Sequence, residues 1–83
     1  KNEAPSEDKI TDAFKFEKYL ISVKSAANVR KGVDEIMKFR NQIPEQYRGF
    51  IDPGFKQGFD RISEAQQANG NTELANYVKG LLK

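Results

Sequence analysis

Apolar residues in the first third of the chain recur at spacings of three and four, the period of an amphipathic helix. Ser6 is the predicted N-cap, because its hydroxyl can accept from a free backbone amide and acidic residues follow it. We expect this helix to end near Ser25, with residues 25–28 as a tight connection. The pattern predicts a broadly buried helix whose stripe consists of Ala13, Phe16, Leu20, Val23 and Ala27, widened by Ile10, Phe14 and Ile21.

A second helix is predicted to begin at Asn28, which can cap its amino end. Gly32 costs this helix about 1 kcal/mol relative to alanine, which indicates either close packing against a neighbour or simple tolerance. Pro44 ends the helix, because the residue before a proline is disfavoured in the α region. The apolar positions in phase are Val29, Val33, Ile36, Met37 and Ile43, with Phe39 off the stripe.

The next segment, residues 44–51, has no helical period and is predicted to form an irregular link. Asp52 and Pro53 then indicate a helix start, since aspartate caps helices and proline is tolerated at the first helical position. Gly70 predicts a left-handed stop for this third helix. One face of the helix is formed by Phe55, Phe59, Ile62 and Ala65.

A fourth helix is predicted from Thr72 to about Leu82, with Asn71 as its N-cap. Its apolar residues keep the helical period most regularly, at Leu74, Tyr77, Val78, Leu81 and Leu82. Four helices joined by short turns predict an all-α fold of antiparallel helices, as a small bundle or two stacked helical hairpins. Residues 1–5 are predicted to be a flexible arm or linker remnant, and residues 6–83 a single helical domain.

The composition restricts the chemistry that this chain can perform. Its 83 residues include no histidine and no cysteine, which removes the commonest general base and the commonest transition-metal ligands. We therefore expect no catalytic residue, no metal site and no cofactor in this chain. The formal net charge is +2 with alternating signs, so we expect no nucleic-acid partner. The apolar runs are far too short to span a bilayer, so we expect no membrane partner.

Acidic residues cluster in the sequence at two adjacent pairs, Glu7 with Asp8 and Asp34 with Glu35. Adjacent helical residues point about 100° apart, so neither pair converges and a solvated surface is the preferred interpretation. Asp60 and Glu64 lie one turn apart, but no glycine-centred calcium loop accompanies them.

Two short motifs indicate contacts rather than catalysis. Gly54 and Gly58 form a G-x-x-x-G spacing, which predicts close approach of the first hairpin backbone. Tyr47, Arg48 and Phe50 place three large side chains in the predicted link. These three side chains either anchor the link to its own core or form an interface with a partner, and the sequence does not decide between the two.

Much of the chain resembles the extreme C-terminal helical region of bacterial zinc aminopeptidases of the aminopeptidase N family. The resemblance spans residues 10–83 and is carried by FEKYL at 16–20, VRKGVDEI at 29–36, IPEQYR at 43–48, IDP at 51–53 and GNTELANYV at 70–78. None of these segments is catalytic. The zinc-binding H-E-x-x-H motif of that family lies in a separate, earlier domain, and zinc would belong to the parent enzyme.

The resemblance implies an accessory role in which the chain packs on the catalytic domain of its parent chain and helps to enclose the peptide-binding cavity. The alternative is a free-standing helical protein-interaction module. A homo-oligomer of the fragment is a further possible assembly. The compartment stays undetermined, with a periplasmic or other extracytoplasmic location preferred to the cytoplasm.

Overall fold

A computed structural model describes residues 7–82 of the chain. It contains four helices: α1 (Glu7–Ser22), α2 (Ala26–Gln42), α3 (Glu45–Ala68) and α4 (Thr72–Gly80). No strand occurs within this described range, and the predicted all-α fold is confirmed. The predictions for the arm at 1–5 and for the Ser6 cap lie outside the described residues.

The four helices alternate in direction and form a small bundle. Sequential helices are antiparallel, as predicted: Arg40 of α2 meets Asp52 of α3, and Ser63 of α3 meets Ala75 of α4. α1 and α3 therefore run in the same direction, with Phe14 lying against Gly54 and, one turn later, Glu17 against Gly58. α3 packs most extensively, against α4 along one part and against α1 along another.

The core lies where α2 and α3 face each other and is closed by α1 and α4. Burial of these side chains is the main favourable contribution to folding, at about 25 cal/mol per Å² of apolar surface. The predicted stripes of α2, α3 and α4 supply most of it. The buried cluster consists of Leu20, Val29, Val33, Ile36, Phe55, Phe59, Ile62, Leu74 and Val78.

The first helix differs from its prediction. It ends at Ser22 rather than near Ser25, and its only fully buried residues are Glu17 and Leu20. Phe16, which was expected in the core, is 37% exposed, and Ala27 is exposed on α2. The predicted stripe included Phe16 and not Glu17, whereas the packing of α1 on α3 buries Glu17 against Gly58.

The predicted cap of α2 is also wrong. Ser25, not Asn28, is the N-cap, and its hydroxyl accepts a hydrogen bond from the Asn28 backbone amide at 3.4 Å. Asn28 is thereby placed in the first turn of the helix. Because the cap lies three residues upstream of the predicted one, α2 is longer by most of a turn.

The predicted irregular link at 44–51 is wrong as well, because α3 already begins at Glu45 and contains Pro53. Proline inside a helix removes one backbone hydrogen bond, so other contacts must hold the first turns. Arg40 donates to both carboxylate oxygens of Asp52, at 2.8 and 2.7 Å. Arg48 donates to the carbonyls of Ile43 and Asn41, both at 3.0 Å, and so covers the end of α2.

The junction between α3 and α4 follows the prediction closely. Gly70 has a positive φ of 85°, the left-handed conformation that glycine adopts without strain. Asn71 is at the N-cap position, but its side chain donates to Gln66 Oε1 at 2.9 Å instead of capping the helix. α4 ends at Gly80 rather than near Leu82.

Gly32 lies in tight contact with side chains of α1. A Cβ atom there would lie 2.6 Å from Leu20 Cδ2 and 2.9 Å from Leu20 Cδ1. Leu20 is buried and Phe16 Cζ lies 3.1 Å from the same Cβ position, so a methyl group at 32 forces these packed side chains to shift. Of the two explanations that the sequence left open for Gly32, close packing is therefore the correct one.

We predict that Gly32→Ala destabilises the chain by about 1–3 kcal/mol, because the overpacking cost exceeds the gain in helix propensity. Gly49→Ala is the matched control, since nothing lies within 4 Å of a Cβ atom there. The control should be neutral or stabilising by up to about 1 kcal/mol. Urea unfolding followed by far-ultraviolet circular dichroism measures both. Equal effects of the two substitutions would contradict the packing argument.

Candidate functional site

The three residues predicted as an interface, Tyr47, Arg48 and Phe50, lie in the first two turns of α3. Arg48 is half-buried and engaged with the carboxyl end of α2, so its guanidinium serves the fold. Tyr47 is half-buried too. Phe50 is 83% exposed. The three predicted interface residues thus differ: Arg48 stabilises the fold, whereas the ring of Phe50 lies in solvent.

A second exposed aromatic group lies on α1, and the sequence interpretation did not predict it. The rings of Phe16 and Tyr19 stack with a centroid separation of 6.1 Å and an angle of 14°. Phe16 is 37% exposed and Tyr19 is 60% exposed. We call these two residues the aromatic pair. It borders a shallow groove of about 330 Å³ that also contains Leu20, Val23 and Gly32.

Glu17 is the most unusual residue of the fold. It is only 3% exposed, although it carries an ionisable group, and it faces α3 from the centre of α1. A Cβ atom at Gly58 would lie 2.5 Å from the carboxyl carbon of Glu17, so the carboxyl group occupies the space that a side chain at 58 would fill. Its Oε2 atom is buried and has no hydrogen-bond partner.

Burial without a partner disfavours the charged form of a carboxyl group. Desolvation raises the pKa of Glu17 from 4.5 to about 8. The cleft around it has a volume of about 350 Å³ and includes two basic residues, Lys18 and Arg61. Neither of them forms an ion pair with Glu17. The one salt bridge found within residues 7–82 joins Arg40 to Asp52. Glu17 is therefore a neutral acid near pH 7.

The position of Glu17 could have been found from the sequence. It lies four residues after Ala13 and three before Leu20, in phase with the apolar stripe of α1. The glycine that accommodates it, Gly58, was identified as a point of close approach. The group that approaches Gly54 and Gly58 proved to be side chains of α1, namely Phe14 and Glu17, rather than its backbone.

The acidic pairs considered earlier are exposed, as the solvated-surface interpretation predicts. Asp34 accepts a hydrogen bond from the Tyr77 hydroxyl, and Arg30 stacks on the Tyr77 ring at 4.5 Å. The hydrogen bond to Asp34 raises the pKa of Tyr77, as does its partial burial. This contact joins α2 to α4 and has a structural role.

Two broader features concern metal ions and membranes. Across residues 7–82, no group of three or more potential ligand side chains is arranged to hold a metal ion. In the same range, no helix combines the length and apolar character needed to cross a bilayer.

Comparison of this chain with protein-family models, with curated proteins and with solved structures found no match. The features of this chain that bear on function are its exposed aromatic side chains, the buried Glu17 and the family resemblance of its sequence.

We predict that the free energy of unfolding falls as the pH rises from 4.5 to about 8. The folded chain keeps the Glu17 proton over this range and the unfolded chain loses it, so the slope approaches about 1.4 kcal/mol per pH unit. The stability contributed by neutral Glu17 is fully present below pH 4.5, the pKa of this group in the unfolded chain. It is lost as the pH rises through about 8, its pKa in the folded chain. Urea unfolding across this range measures the slope.

Glu17→Gln should flatten this profile, because a neutral amide of the same shape does not titrate. Glu64→Gln, at an exposed position on α3, is the matched control and should keep the wild-type slope. An unchanged slope in Glu17→Gln would show that another group is responsible.

Proposed function

We propose that this chain is a non-catalytic helical unit that packs on a larger protein through its exposed aromatic side chains. We further propose that the larger protein is a zinc aminopeptidase of the aminopeptidase N family, and that the chain is its C-terminal helical region. The resemblance over residues 10–83 supports the family, and the all-α bundle is compatible with it.

The observation that carries the docking proposal is the exposure of three large aromatic side chains in a small bundle. Phe50 extends from the first turns of α3, and the aromatic pair Phe16 and Tyr19 lies on α1. Aromatic rings contribute much of the binding energy of protein interfaces, because each buries a large area with little loss of side-chain freedom. Burial of such rings against a partner would remove their apolar surface from water.

The proposed contribution to catalysis is indirect. A helical unit packed over a catalytic domain can exclude water from the peptide cavity and limit the orientations that a bound peptide adopts. The metal and the acid–base groups would all be supplied by the catalytic domain. Phe50 and the aromatic pair would then contact that domain rather than the peptide.

The alternative, a free-standing interaction module, would use the same aromatic side chains on a separate partner. The two hypotheses differ in the coding sequence that precedes this chain in its gene. An upstream region encoding H-E-x-x-H favours the aminopeptidase, whereas a signal peptide directly before Lys1 favours the module.

We predict that the isolated chain hydrolyses no aminoacyl amide substrate, with or without added zinc, whereas the full gene product does so and is inhibited by a chelator. The catalytic part, expressed separately, should bind the isolated chain in isothermal titration calorimetry. The double variant Tyr19→Ser with Phe50→Ser should weaken this binding by about tenfold or more, since hot-spot aromatics contribute over 1 kcal/mol each.

Lys15→Ser with Lys56→Ser is the matched control, because both lysines are exposed on the same two helices. It should bind as the wild-type chain does. An upstream region without a zinc motif, or peptidase activity in the isolated chain, would refute the aminopeptidase proposal. Equal binding by the aromatic and lysine variants would refute the docking surface.

A further inference from the structure

α1 is attached to the bundle in a different way from the other three helices. α2, α3 and α4 are joined by side-chain hydrogen bonds: Arg40 to Asp52, Tyr77 to Asp34, and Ser63 to the Ala75 carbonyl. Within residues 7–82, no side chain of α1 donates to or accepts from another helix; the Ser22 hydroxyl bonds to Tyr19 on α1 itself. α1 is therefore held by packing alone.

In the packing of α1 on α3, the ionisable side chain of Glu17 lies against Gly58. The carboxyl group fits only because position 58 has no side chain, and Oε2 has no accessible surface and no partner. A neutral carboxyl group tolerates this environment at moderate cost. A carboxylate does not, because it loses its hydration and gains no hydrogen bond in return.

The charged groups that face Glu17 come from both helices that form the cleft. Lys18 belongs to α1 and Arg61 to α3, and both are exposed. Neither forms an ion pair with Glu17, and Oε2 stays buried without a hydrogen-bond partner. The remaining residues that line the cleft do not titrate and are Phe14, Ile21, Gly54, Gln57 and Gly58.

We infer that Glu17 is a proton-controlled latch: the neutral side chain seats α1 on α3, and loss of its proton releases α1 while the α3–α4 hairpin stays together. The released carboxylate gains water and the nearby cations Lys18 and Arg61. The α3–α4 hairpin keeps the most extensive helix–helix packing of the described residues and its hydrogen bond from Ser63 to the Ala75 carbonyl.

The latch bears on the proposed function, because α1 also carries the aromatic pair. Release of α1 separates Phe16 from the groove beside Gly32 and so displaces two of the three aromatic side chains proposed for docking. Under the proposed function, partner binding would weaken as the pH rises through the titration of Glu17. The latch itself concerns the isolated chain and does not depend on a partner.

Nuclear magnetic resonance of the isolated 83-residue chain tests the latch directly. The carboxyl carbon shift of Glu17 reports its titration. Nuclear Overhauser contacts between the Phe14 ring and Gly54 report the seating of α1, and contacts between Ser63 and Ala75 report the α3–α4 hairpin. We expect the Phe14 contacts to disappear with the same midpoint as the Glu17 titration, while the Ser63 contacts persist.

Glu17→Gln should retain the Phe14 contacts throughout, and Glu64→Gln should lose them as the wild-type chain does. Coincident midpoints in the wild-type chain support the latch even where Glu17→Gln fails to fold. Phe14 contacts that persist after Glu17 has titrated would overturn it, as would simultaneous loss of the Ser63 contacts, which indicates global unfolding. Because no partner is present, failure of the docking proposal leaves this result unaffected.

Discussion

The close approach of α1 to its neighbours is the constraint on which the rest of this structure depends. Three glycines, Gly32 on α2 and Gly54 and Gly58 on α3, lie directly beneath side chains of α1. Their missing side chains allow Leu20, Phe14 and Glu17 to enter the bundle. Without this proximity, α2 and α3 would leave part of their apolar faces in water, and one side of the small core would be exposed to solvent.

The same constraint explains why a polar residue is buried. A helix that approaches this closely presents each residue of its inner face to its neighbour, whatever that residue's polarity. Glu17 falls on the inner face, and its methylene groups contribute to packing while its carboxyl group lies over a glycine. Retaining an unpaired acid at this point costs stability, which is a pattern more often found at sites with a function than in ordinary cores.

Much of the fold could be predicted from the sequence, because it depends on local periodicity and on strong terminators. The number of helices, the left-handed Gly70 and the core positions of α2, α3 and α4 all follow from such signals. The start of α3 could not be predicted, since the turns before Pro53 are held by Arg40 and Arg48, whose partners are distant in sequence or on another helix.

The candidate site was harder to predict for a related reason. Periodicity placed Phe16 on the buried stripe of α1, whereas the packing of α1 on its neighbours buries Glu17 and leaves Phe16 37% exposed. Sequence fixes the angular spacing of residues on a helix, but the contacts of the folded bundle decide which face turns inward. The predicted and the observed buried faces of α1 differ by a rotation about the helix axis of less than the roughly 100° that separates adjacent residues.

Pro53 has a consequence for the mechanical behaviour of α3. Because proline has no amide hydrogen, α3 lacks one backbone hydrogen bond close to the ion pair between Asp52 and Arg40. The turns that carry Phe50 are therefore held in part by an ion pair that dissolved salt weakens, whereas the later turns rely on buried apolar contacts that salt does not weaken. Ionic strength thus acts selectively on one end of a continuous helix.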